Sequence, residues 1–124
     1  MKVIERIDRQ VGQVAELARE LESERSYKGS ERLVQLAIQA LVDLGLMVIS
    51  ALGGRTPKGY SEVGDLLVDL GALSKSDSKL LRSMVGVRNI LVHAYASVMR
   101  DAVSDASRSL REDAPRLARA LRQS

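Results

Sequence analysis

The sequence predicts an all-α fold, an antiparallel bundle of about five helices forming one domain over residues 1–124. Three observations carry that prediction. Apolar residues recur at three- and four-residue spacing along nearly the whole chain, and the alternation of a half-buried strand is missing. The breaks between periodic stretches are short and marked by Gly, Ser or Pro. A chain of 124 residues builds one core and leaves no room for a second.

The first helix is expected over about 2–22, where Ile4, Ile7, Val11, Val14, Ala18 and Leu21 form one stripe and Glu, Asp and Arg fill the other face. The polar segment 23–29 ends it. Ser30 is a suitable N-cap for a second helix running to about 51. That helix is apolar almost all round, from Leu33 and Val34 to Val48 and Ile49. Such a helix is either central or covered on its second side by another chain. Asp43 lies within it and needs a partner. The segment Gly53-Gly54-Arg55-Thr56-Pro57-Lys58-Gly59 is the clearest loop. A short third helix over about 62–70 is capped by Ser61 and stopped by Gly71. Ser74 with Asp77 three residues on resembles a capping box for a fourth helix reaching about 98. A fifth covers about 100–121, with Pro115 expected to kink or restart it.

Composition narrows the chemistry. There is no Cys, so disulfides, thiolate metal sites and a Cys nucleophile are excluded, and one His leaves no His-cluster metal site within a chain. Phe and Trp are absent and Tyr occurs three times, which excludes a wide platform for stacking bases. The net charge of +3 permits a nucleic-acid partner without demanding one. Charges interrupt the N-terminal apolar residues, so no signal peptide is read. The longest apolar run, 44–52, is too short to span a bilayer, and a cytoplasmic, membrane-free protein is expected. The Gly53-Gly54 loop lacks the spacing of a phosphate-binding P-loop.

The fourth helix concentrates the chemistry. With Arg88 at zero on a helical wheel, Leu81, Met84, Val85, Leu91, Val92 and Tyr95 fall within about 60° of it. An arginine in an apolar stripe is costly unless paired. Lys75, Arg82, Asn89, His93 and Arg100 share another flank, on which Asn89 and His93 are i, i+4 neighbours. Gly86 lies two turns before His93. A mid-helix Gly costs about 1 kcal/mol against Ala, which close approach of another backbone would offset. A guanidinium can hold a phosphate bidentately, and an imidazole is suited to proton transfer near neutral pH. With Asn89 as an added donor, these parts suit metal-free RNA cleavage by the 2′-hydroxyl. A base and an acid are both wanted and the chain has one His, so a twofold homodimer with facing fourth helices is expected to complete the cleft.

The segment Arg88-Asn89-Ile90-Leu91-Val92-His93-Ala94-Tyr95 resembles the R-x4-H-x-Y signature of HepT-like toxins in the HEPN superfamily. Residues 31–40 with Asp43, Pro57-Lys58-Gly59-Tyr60 through Leu73, and Met84-Val85-Gly86-Val87 extend the similarity, which covers about residues 2–120. The resemblance implies a dimeric, metal-independent endoribonuclease without cofactor. Arg88, Asn89 and His93 would be catalytic, with Asp43 and Gly86 supporting. It also implies a toxin–antitoxin pair of type II or VII character. In such a pair a minimal nucleotidyltransferase of the MntA type silences the toxin by AMP transfer to Tyr95. The RNA target, tRNA or mRNA, and assembly beyond the dimer stay open.

Plainer readings stand beside these. Arg88 fits a structural ion pair with Asp43, His93 alone fits a surface or interface histidine, and Tyr95 fits a core-edge residue. Tyr27 and Tyr60 fall in loops and carry no assigned role. Arg108, Arg111, Arg116, Arg119 and Arg122 read as a solvated face, with an RNA-backbone contact the lesser reading. The alternative function is a catalytically inactive helical dimer that serves as the binding subunit of a nucleotidyltransferase.

Overall fold

The computed structural model describes residues 2–93 and 100–123, the side chain of His93 excepted. Five α-helices follow in order: α1 (Val3–Ser23), α2 (Tyr27–Ala51), α3 (Val63–Asp69), α4 (Lys75–His93) and α5 (Arg100–Arg122), with one 3-10 turn at Tyr60–Glu62 leading into α3. No strand occurs among the described residues. Helices α1, α2 and α5 pack on one another, and α3 and α4 pack together against α2.

The central position falls to α2. Val34, Ile38, Leu41 and Leu44 are fully buried within it. Taken whole, α2 is long and apolar enough, by length and composition, to cross a membrane, unlike the 44–52 run inside it. Its contacts with α1, α3, α4 and α5 account for that composition. Of the two explanations open from sequence, the central helix is the one observed, and a second chain is not needed to cover α2.

Helix ends follow local hydrogen bonding. α2 starts at Tyr27, earlier than expected, because Ser26 and not Ser30 is its N-cap: the Gly29 N–H donates to Ser26 Oγ at 3.0 Å. Glu24 fixes that cap by accepting from the Ser26 N–H and Oγ at 3.0 and 2.8 Å. Ser61 does not cap α3; Glu62 is the N-cap residue and makes no side-chain cap bond. Its carboxylate turns instead to the preceding loop. α3 does stop at Gly71, whose φ of +76° lets Ala72 N–H reach Leu67 O at 2.8 Å. Gly53, also at φ +76°, ends α2 in the same way. Half of the expected capping box opens α4: the Asp77 N–H donates to Ser74 Oγ at 3.1 Å. The Asp77 carboxylate is taken by Arg116 of α5 at 3.0 Å. That pair clamps the start of α4 to the bundle. α5 runs as one helix through Pro115 and does not restart. Ala114, Leu117 and Ala118 are buried beside it, so packing holds the helix where the proline removes a donor.

Candidate active site

Four described elements build the site: α4, α2, the 3-10 turn and the loop before it. Leu81, Met84, Val85 and Leu91 are buried and fix the rotation of α4 about its axis. Val92, expected in the same stripe, is 47% exposed. Arg88 faces the inner side and is half-buried. Its guanidinium carbon lies 5.2 Å from the centroid of the Tyr60 ring, within the range of a cation–π contact.

Tyr60 is held in turn. Gln39 Nε2 on α2 donates to the Tyr60 hydroxyl at 3.2 Å and to Asp43 Oδ1 at 2.9 Å. The loop that delivers Tyr60 is tied by Glu62, which accepts from the Lys58 N–H at 3.2 Å and from Arg55 Nη1 at 3.1 Å. Those two donors, the Lys58 backbone first and Arg55 second, hold the Glu62 carboxyl below its ordinary value.

Asp43 and Arg88, expected as partners, form no ion pair among the described residues. The connection runs indirectly, from Asp43 through Gln39 to the Tyr60 hydroxyl and across the ring to Arg88. A ring face attracts a cation without neutralising it, so Arg88 keeps a full charge for an anionic ligand. Sequence reading gave Tyr60 no role. The one signal that touched it was the Pro57-Lys58-Gly59-Tyr60 segment.

The other expected residues fall on different faces. Asn89 is exposed, and Gly86 is exposed beside it on the outward face of α4 with Arg82 and Ile90, the last 46% exposed. No backbone approaches Gly86: a Cβ there would meet nothing within 4 Å. Close approach occurs instead at Gly64 of α3, where a Cβ would lie 2.6 Å from Ser78 Oγ and 3.2 Å from Ser78 O on α4. His93 is the last described residue of α4. A five-residue step places its position about 140° around the helix from Arg88. Tyr95, the expected AMP acceptor, lies outside the described residues, as does the expected continuation of the fourth helix to 98. Among the described residues, no three His, Asp or Glu side chains group as metal ligands would.

Residues 2–123 match the family model described as Ribonuclease HepT-like. A protein of Archaeoglobus fulgidus named "Putative RNase" is 28% identical over 102 residues, which is 82% of this chain and 76% of that protein. Among solved structures, the cytosolic protein of unknown function YutE from Bacillus subtilis superposes with a TM-score of 0.74 at 20% identity, over 93% of this chain and 87% of that one. That likeness establishes the helical-bundle fold.

Proposed function

Because the chain belongs to the HepT-like ribonuclease family, we propose that it is a metal-independent endoribonuclease whose active site uses Arg88, Asn89 and His93. The observation that carries this reading is Arg88. It is half-buried, has no carboxylate partner among the described residues, and is seated on Tyr60. A half-buried guanidinium with no carboxylate on it can take up a phosphate.

In the proposed reaction, Arg88 binds the non-bridging oxygens of the scissile phosphate. The 2′-hydroxyl loses its proton to an imidazole and its oxygen attacks phosphorus. The bond from phosphorus to the 5′-oxygen breaks, and a second imidazole protonates the leaving oxygen. Each proton transfer contributes about 10²–10⁴-fold, and Arg88 stabilises the charge that grows on the phosphorane. Asn89 donates a further hydrogen bond. The products are a 2′,3′-cyclic phosphate and a 5′-hydroxyl.

Two imidazoles require two chains, since each has one His. A homodimer with facing α4 helices supplies both. The exposed strip of Gly86, Asn89 and Ile90 supports that geometry, because it leaves uncovered the face a second α4 would cross. In this reading the protein is the toxin of a toxin–antitoxin pair. A cognate MntA-type nucleotidyltransferase transfers AMP from ATP to the Tyr95 oxygen, releasing pyrophosphate. The added phosphodiester, two residues from His93, competes for Arg88 and blocks RNA.

The test is RNA cleavage in EDTA on a denaturing gel, comparing unmodified protein with His93→Ala after the mass of each has been checked. Cleavage lost in the variant supports the proposal. No cleavage of tRNA or total RNA by unmodified protein would overturn it in favour of the inactive binding subunit.

A further inference from the structure

The geometry points to a second RNA contact on this chain: a groove between the starts of α2 and α5, lined by Arg25, Tyr27, Ser30, Arg100, Ser104 and Arg111, that binds the phosphate backbone of the substrate. The inference rests on RNA being that substrate.

The groove gathers three arginines on one concave surface with no acid in its lining. Five arginines elsewhere are paired with carboxylates: Arg19 with Glu16, Arg55 with Glu62, Arg108 with Asp105, Arg116 with Asp77 and Asp113, and Arg122 with Asp8. Arg25, Arg100 and Arg111 make no ion pair among the described residues, and they converge on one concave surface that no carboxylate lines. Of the acids adjacent to these arginines in sequence, Glu24 is turned onto the Ser26 N–H and Oγ, and Asp101 and Glu112 do not line the groove. Asp105 is turned to Arg108.

Two of the three cations are also held in place. The Arg100 guanidinium stacks over the Tyr27 ring, 4.6 Å from its centroid. Arg111 Nε donates to Ser107 O at 3.3 Å. An arginine braced through its ring stack or its Nε leaves its terminal nitrogens to meet an anion and loses less freedom on binding. Serine hydroxyls beside them add neutral donors of the kind that contact phosphate oxygens. The groove presents one aromatic ring, so it tracks a backbone and does not read bases.

Its place along the chain suits a substrate path. Arg100 follows His93 by seven residues, so the two Cα positions are at most about 25 Å apart. RNA whose scissile phosphate sits at Arg88 therefore has a cationic seat for flanking phosphates on the same protomer.

The experiment uses the full chain carrying His93→Ala, so that RNA is not consumed, titrated with a fluorescein-labelled single-stranded oligouridylate over a salt series. The triple variant Arg25→Gln, Arg100→Gln, Arg111→Gln is compared with its Lys counterpart, after matching far-UV spectra. Each lost phosphate contact lowers the log–log salt slope by about 0.7 on a single strand, so the Gln variant is expected to lose about 2. The Lys variant, with its charges kept, should hold most of the slope. An unchanged affinity and slope in the Gln variant would overturn the proposal, and so would a parent protein that binds no RNA. Wild-type cleavage measured in parallel separates the two readings. Cleavage with no groove dependence removes the groove alone. Groove-dependent binding without cleavage keeps the groove and removes the nuclease assignment.

Discussion

Replacing Tyr60 with leucine takes away both things that the ring offers Arg88. The first is the cation–π contact, at 5.2 Å from the centroid. With Tyr60 37% exposed, that contact is worth about 0.5–1 kcal/mol. The second is the hydroxyl that Gln39 holds at 3.2 Å, which adds about 0.5–1 kcal/mol by fixing the ring. Together they make about 1–2 kcal/mol of orientation of the guanidinium. If Arg88 contacts phosphate in the transition state, kcat/KM for RNA should fall about 5- to 30-fold in Tyr60→Leu. Tyr60→Phe keeps the ring and loses only the Gln39 bond, so it should fall about 2- to 5-fold. A double-mutant cycle separates positioning from mere stability: in an Arg88→Ala background, Tyr60→Leu should have little left to remove. Wild-type kinetics in Tyr60→Leu, or equal losses in Phe and Leu, would refute the reasoning.

Two further predictions concern the face and the loop around that arginine. Gly86→Ala meets open space in the single chain and should raise the unfolding free energy of dilute protein, read from urea titration, by up to about 1 kcal/mol. Sedimentation should show weakened self-association in Gly86→Ala and more so in Gly86→Leu; unchanged association in both would exclude an α4–α4 contact at this position. Glu62, held below its ordinary 4.5 by the Lys58 N–H and Arg55, stabilises the Tyr60 loop fully above that ordinary value. The contribution is lost as pH falls through the lower folded value. Amide chemical shifts of Gly59 and Tyr60 should therefore stay constant from neutral pH to about pH 5 and move below it. The same titration in Glu62→Gln should be flat.

The helices were legible because their signals are local. Gly71 stops α3, Ser74 opens α4, and the Leu81, Met84, Val85 and Leu91 stripe fixes which side of α4 is inside. The motif on α4 was legible for the same reason. Contacts between elements were not. The wheel set Arg88 in the apolar stripe of α4 and Asp43 lay in an apolar helix, but Gln39 and the Tyr60 ring stand in the connection between them, and periodicity carries no information on which loop residue enters there. Tyr60 fills the gap through a loop whose path depends on Glu62 meeting Lys58 and Arg55. At the start of α2, two serines four residues apart compete as caps. Glu24 decides for Ser26, a non-periodic signal.

The packing of α5 has a consequence for how the protein is made. Leu110, Ala114, Leu117 and Leu121 of the last helix are almost wholly buried, and α5 lies against both α1 and α2. A nascent chain ending at α4 thus leaves the central helix open along one side. The core closes only once α5 has been synthesised, because the contacts that seal it join the first and last thirds of the sequence. Until then the apolar face of α2 is available to chaperones or to aggregation. The elements that hold Arg88 and Tyr60 all precede α5 in the chain, while the core they rest on is closed last.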